Sequence, residues 1–274
     1  MRVMRWSSLA AVAAVAFTIS GAAHAVGPWP GLASAVVSPG GDVRYTASRS
    51  DEATTVRART VGTGGAVIAT AKIDGLWGIP AITSTGVAGG LSPDGRLLVL
   101  AQPPTYSGLR TESRLLLLST KTLALRDNVV LKGEFGFDAF SADGRTLYLI
   151  QHRSARDLVA YVVRGYDLTH KRLLPGAIVA KGESENMRGY PVARTTRARG
   201  AWVYTLYTRQ TGKPFIHALA TNDRYAVCID LPWAASPQQI WSTRLSLSRD
   251  GKKLLVRSQG AVVARVDTRS FRVT

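Results

Sequence analysis

The sequence predicts an all-β fold made of repeated four-stranded units, and three observations carry that expectation. First, one motif recurs along the 274 residues. It stands as VVSPGGDVRYTAS at 36–48, LSPDGRLLVLAQ at 91–102, FSADGRTLYLIQ at 140–151, a weaker TRARGAWVYTLY at 196–207, and LSLSRDGKKLLVRS at 245–258. Its anchoring glycines, Gly41, Gly95, Gly144, Gly200 and Gly251, are 54, 49, 56 and 51 residues apart, the even period of a repeat architecture. Second, each copy reads as a hairpin: apolar residues lead into Ser-x-Asp-Gly, where Asp caps the backbone and Gly takes a positive φ. Third, β-prone runs such as Leu147-Tyr148-Leu149-Ile150 follow the turns, with almost no helical periodicity after the N-terminal segment.

The first element in order is not part of the repeats. Met1 to Ala25 reads as a secretory signal peptide. Arg2 and Arg5 give the positive start, Leu9 to Ile19 is an uncharged run, and Ala23-His24-Ala25 offers the small-x-small pattern for cleavage after Ala25. The run is shorter than the ~20 apolar residues that cross a bilayer core, and no later stretch qualifies as a span. The expected product is a single domain over 26–274, secreted or extracytoplasmic. In that oxidising setting the one cysteine, Cys228, is expected to be buried.

Each repeat then supplies a second hairpin: 54–73, 114–131, 158–180, 215–231 and 260–273. Four short strands per unit, repeated, are the blades of a β-propeller. On Ser92 to Leu98, Ser141 to Tyr148 and the Asp-Thr-x-Ser turn at Asp267 to Ser270, the chain resembles the YVTN-repeat or lactonase-like β-propellers, relatives of the WD-repeat class. The resemblance implies a blade and not an activity, and it transfers no catalytic residue. Members of that family often have six or seven blades. Here five units are visible and the fourth has lost its Asp-Gly turn, so five blades are expected, with six as the alternative.

Composition narrows the function classes. Apolar types make up 46% and charged types 19%, which excludes a disordered chain, and a single Cys excludes a disulfide scaffold or cysteine-based zinc site. No Gly-x-Ser-x-Gly elbow, His-Glu-x-x-His, phosphate loop or dinucleotide fingerprint occurs. No catalytic residue, cofactor or metal ligand is therefore assigned. Glu183 and Glu185 lack the spaced ligands of a calcium loop.

In a propeller the Ser-x-Asp-Gly turns share one end, and the interblade loops share the other. The long loops here, 102–113, 151–157, 181–190, 208–214 and 231–241, all fall at the second end, where binding residues are expected. That face gathers Trp77, Tyr106, Arg110, His152, Arg153, Arg156, Tyr190, Trp233 and Trp241, a mixture suited to a sugar or an anion. Two further pairings follow from register. His217 and Cys228 are opposite if Asn222-Asp223 forms the turn. Asp138 and Arg194 occupy equivalent inner-strand positions, which predicts an ion pair lining the channel.

The formal net charge is +17, falling to about +15 without the signal, from 27 Arg and 8 Lys against 18 acids. Arginine suits bidentate recognition of phosphate and carboxylate, and a GC-rich coding sequence would give the same bias. Export argues against nucleic acid. The expectation is a monomeric, non-catalytic propeller that binds an envelope protein or an anionic cell-surface polymer through its long-loop face. A secreted lactonase-like hydrolase, with its site at the channel mouth, is the alternative.

Overall fold

The computed structural model describes residues 30–105, 108–179, 187–209 and 213–274. Five antiparallel sheets of three or more strands follow one another along the chain, each a meander in sequence order. Sheet I runs Ala35–Val37, Val43–Arg49, Ala53–Thr60 and Val67–Asp74. Sheet II holds Leu97–Ala101, Glu112–Ser119 and Leu125–Lys132. Sheet III holds Glu134–Phe140, Thr146–His152, Ala160–Asp167 and Arg172–Leu173, with Met187–Arg188 as an added partner. Sheet IV runs Tyr190–Thr196, Trp202–Thr208, Phe215–Ala220 and Tyr225–Asp230. Sheet V holds Arg244–Leu247, Lys253–Ser258 and Ala261–Asp267, and the last residues return along it through a Val266–Val273 bridge.

The recurrent turns form for the reason their sequence gives. Ser92, Ser141 and Ser248 each donate a hydroxyl hydrogen bond to the Asp two residues on, at 2.6, 2.5 and 2.6 Å. The same carboxylates accept the amides of Arg96, Arg145 and Lys252. Hydrogen bonds from Ser141 and Ser248, with those from the backbone, hold Asp143 and Asp250 below the usual carboxylate range. These aspartates are spent on conformation.

Alternation along the strands places one apolar layer between each consecutive pair of sheets. Val56, Leu98 and Leu116 fill the layer between I and II; Leu117, Phe135 and Leu147 fill that between II and III. Tyr148, Tyr161 and Phe215 join III to IV, and Leu206, Leu254 and Val266 join IV to V. Among the described residues, no apolar cluster joins sheet V back to sheet I.

Sheet II departs from the four-strand expectation. Its inner strand is interrupted: Gly78 pairs with Ala101 and Leu91 with Leu98, while the intervening chain leaves the sheet. Ile79–Pro80 pairs instead with Leu32–Ala33, and the chain then folds on itself with Ala81 opposite Ala88. The tip of this hairpin crosses the axis. Ser84 N–H donates to the Pro191 carbonyl and Thr85 Oγ1 to the Val192 carbonyl, each at 2.7 Å. Both acceptors lie at an irregularity in the inner strand of sheet IV, where register shifts between Pro191 and Ala193, freeing carbonyls for the hairpin.

Gly90 sets the return of this hairpin. Its φ is +91°, and a Cβ there would stand 2.8 Å from the Val99 carbonyl oxygen. Gly90→Ala is therefore expected to lower the stability by ~2–3 kcal/mol, from left-handed strain and a backbone clash. Gly86, at the open tip with φ +85° and no atom near its missing Cβ, carries only the conformational part. Urea midpoints of the two variants test the difference, and equal losses would discard the clash.

Candidate functional site

The long-loop residues differ in burial. Trp77 is buried between sheets I and II, its indole N–H donating to the Asp74 carbonyl at 2.7 Å and its amide to Thr54 Oγ1 at 2.8 Å. His152 is buried against Tyr161, with ring centroids 6.0 Å apart. Tyr190 and Trp233 are half-buried, the latter against the layer between sheets IV and V. Arg153, Arg156 and Trp241 are exposed. Tyr106, with Glu183 and Glu185, lies outside the described residues.

Arg110 is drawn back onto the body. Its guanidinium donates to the Pro103 carbonyl and stands 3.9 Å from the buried Glu134 carboxylate, which also accepts the Arg110 amide at 2.7 Å. It borders a crevice of only ≈ 30 Å³, room for about one water. Other arginines at this end also meet acids: Arg114 with Glu112, Arg188 with Asp157 and Arg209 with Asp230. One element here was legible and overlooked. Ser236-Pro237-Gln238-Gln239 is a capping box with Pro at the first helical position, and it opens the one-turn helix Pro237–Trp241.

A larger cavity, ≈ 320 Å³, lies on the axis at the opposite end, among the Ser-x-Asp-Gly turns. Inner strands of sheets I to IV wall it, and Ile82, Ala88 and Gly89 of the crossing hairpin line it too. The channel-lining ion pair expected from register is present in its wall. Arg194 reaches from sheet IV to the Asp138 carboxylate of sheet III, donates to the Asp138 carbonyl at 2.6 Å, and holds Thr205 Oγ1 at 3.0 Å through Nε. Both side chains are about 5% exposed.

Behind that pair, the face of sheet IV turned toward sheet III carries a polar row. Register sets Arg194 opposite Thr205, Thr205 opposite His217, and His217 opposite Cys228, as the predicted hairpin requires. The His217 ring meets Tyr207 edge-on at 6.4 Å, and its Nε2 has no hydrogen-bond partner among the described residues. Burial pushes its pKa down to about 4; Asp138 opposes the shift and Arg194 adds to it. Burial likewise raises Tyr161 and Tyr207 well above the ordinary phenol. Of Asp138, His152 and His217, only Asp138 lines the cavity, where Arg194 already occupies it.

Cross-strand pairs of arginines stand on the two end sheets. On the face of sheet I turned away from sheet II, Arg44 and Arg59 are directly opposite, with Arg57 on the same face. On the face of sheet V turned away from sheet IV, Arg244 and Arg257 are directly opposite, with Arg265 across from Leu255. Like charges so paired destabilise a sheet. Among the described residues, Arg59 and Arg244 bond only backbone carbonyls, of Gly65 and Thr243. None of these six arginines meets a carboxylate among the described residues.

No family model and no curated protein matches the sequence. Solved structures do share the fold. Prolyl oligopeptidase B from Galerina marginata aligns with a TM-score of 0.50 at 13% identity, over 88% of this chain and 33% of that one. Hydrazine synthase from Kuenenia stuttgartiensis gives 0.49 at 13% identity, over 85% and 63%. The β-propeller domain of Cps50 (Swd1) from Myceliophteria thermophila gives 0.48 at 15%, over 88% and 69%. The chain thus spans a third of the first and under two thirds of the second. The likeness is one of fold alone. Among the described residues no helix is long and apolar enough to cross a membrane, and no cluster of three His, Cys, Asp or Glu is placed to hold a metal.

Proposed function

We propose that the protein is an exported, five-bladed β-propeller that binds an anionic partner at the cell envelope as a monomer and performs no chemistry of its own. One observation carries the reading: cross-strand Arg44–Arg59 and Arg244–Arg257 pairs stand on the free faces of the first and last blades without a carboxylate. Folding gains nothing from two guanidinium groups held side by side, whereas a phosphate or carboxylate between them gains charge-assisted, bidentate hydrogen bonds. Between 244 and 274, eight cations face two acids, so the last blade is the most cationic part of the surface. The paired arginines of the long-loop end make that end the weaker anion attractor.

Titration of the chain from Val26 onward with polyphosphate and with polygalacturonate, at low and high salt, tests this. Binding is expected to be saturable and weakened by salt. Replacing Arg44, Arg59, Arg244 and Arg257 by Ser is expected to weaken it ~100-fold, whereas Arg153→Ala with Arg156→Ala leaves it nearly unchanged. If all variants lose affinity only in proportion to net charge, the binding is diffuse and the reading falls. The N-terminus of the exported chain, read by mass spectrometry, is expected to be Val26; an intact Met1 terminus would remove the envelope from the proposal.

A further inference from the structure

We infer that the cavity on the axis is a binding site for a small organic monoanion with an apolar body, held by Arg199. The site is separate from the end faces that would bind a polymer.

The argument begins with the fourth turn. Where the second, third and fifth repeats place Ser and Asp, this one places Arg197 and Arg199. The carboxylate that elsewhere accepts the turn's own hydroxyl and amide is replaced by a cation. The backbone adapts as a single 3-10 turn, Ala198–Gly200, in which Arg199 takes φ 57°, ψ 21°, a left-handed conformation costing a non-glycine residue about 1 kcal/mol. The turn is nevertheless fixed. Gly200 N–H donates to the Arg197 carbonyl at 2.8 Å, Arg197 N–H to the Trp202 carbonyl at 2.9 Å, and Thr221 Oγ1 to the Gly200 carbonyl at 2.7 Å. Thr221 Oγ1 in turn accepts the Ala142 amide of the third turn at 3.1 Å. Arg199 is thus presented on a braced support, and it lines the cavity without a carboxylate partner among the described residues.

The rest of the wall defines the ligand. Val36, Ile82, Leu91, Phe137, Phe140 and Val203 give an apolar lining. The other charged groups of the lining, Asp138 and Arg194, neutralise each other, which leaves Arg199 as the one uncompensated charge among the lining residues. The crossing hairpin supplies part of the wall through Ile82, Ala88 and Gly89. A volume of ≈ 320 Å³ is within the ~300–1,000 Å³ of small-molecule sites, which are mostly apolar with a few placed polar groups. A carboxylate or sulfonate on a compact ring system satisfies each of these terms; a polymer or a dianion does not.

The test compares 2-naphthoate with naphthalene-2-methanol, the same apolar body without charge, by calorimetry on the chain from Val26. Naphthoate is expected to bind one to one, about tenfold more tightly than the alcohol, as one charge-assisted hydrogen bond predicts. Arg199→Ser is expected to erase the preference while leaving the alcohol unaffected, and Arg199→Lys to retain most of it. Val37→Trp, at a half-exposed position of the cavity wall, is expected to block both ligands without lowering the thermal transition. Replacing Arg44 and Arg59 by Ser should leave naphthoate binding intact, which separates this site from the polymer-binding faces. Failure of naphthoate to bind, equal affinity for the two compounds, a preference that survives Arg199→Ser, or binding that survives Val37→Trp would each overturn the assignment.

Discussion

Asp138→Ala is expected to lower the stability of the protein by about 3–5 kcal/mol, the largest effect of any single change at the axis. The carboxylate is 6% exposed and its partner Arg194 5%. Removing it leaves a guanidinium in a largely dry wall, with only the Asp138 carbonyl and Thr205 Oγ1 to receive its protons. An uncompensated buried charge of this kind is strongly destabilising, whereas replacing both partners by apolar groups is often close to neutral. The double variant Asp138→Leu with Arg194→Met should therefore recover most of the loss. Urea unfolding of the two variants decides the matter: if the double variant is as weak as the single, the cost is one of packing and not of charge.

The second large effect is a loss of stability on mild acidification, and it centres on His217. Its pKa is about 4 in the fold against 6.5 in the open chain. Between those values the unfolded chain binds a proton that the folded one refuses, so stability falls as pH drops from about 6.5 to about 4 and is fully retained above 6.5. The integrated loss is roughly 3 kcal/mol. The groups facing His217 are Asp138, Arg194, Tyr207 and Cys228, and the lowered carboxylates Asp143 and Asp250 act in a more acidic window. His217→Gln keeps a polar side chain that does not titrate. Its urea midpoint is expected to change little between pH 7 and 4.5, while that of the parent chain falls. Parallel curves for the two proteins would assign the acid sensitivity elsewhere.

What the sequence told, and what it withheld, follows one physical division. The meander of each sheet was legible because turn chemistry and period-two alternation are local. Hence the hairpins around Gly95, Gly144 and Gly251, and even the register of His217 with Cys228 and the equivalent positions of Asp138 and Arg194, could be counted from a turn. The broken inner strand of sheet II could not be read. Its cause is a pair of hydrogen bonds from Ser84 and Thr85 to carbonyls more than a hundred residues away, and no local pattern encodes an acceptor at that distance. For a related reason the sequence does not show which loop residues are buried. Trp77, Arg110 and His152 share the loop end by position, but burial and the Glu134 partner are properties of the packed whole. Arg199 carried a local signal, a cation where its sister repeats have Asp, and the signal pointed to the turn end rather than the loop end.

The missing layer between sheets V and I has a consequence for how the molecule comes apart. Among the described residues four apolar layers stand in a row, and in such a series nearest-neighbour contacts set the cooperativity. Sheets II and IV are clasped to each other across the axis by the Ser84 and Thr85 hydrogen bonds, with sheet III between them. Sheets I and V each lean on one neighbour. The centre is then expected to be the last part to open and the two arginine-bearing flanks the first.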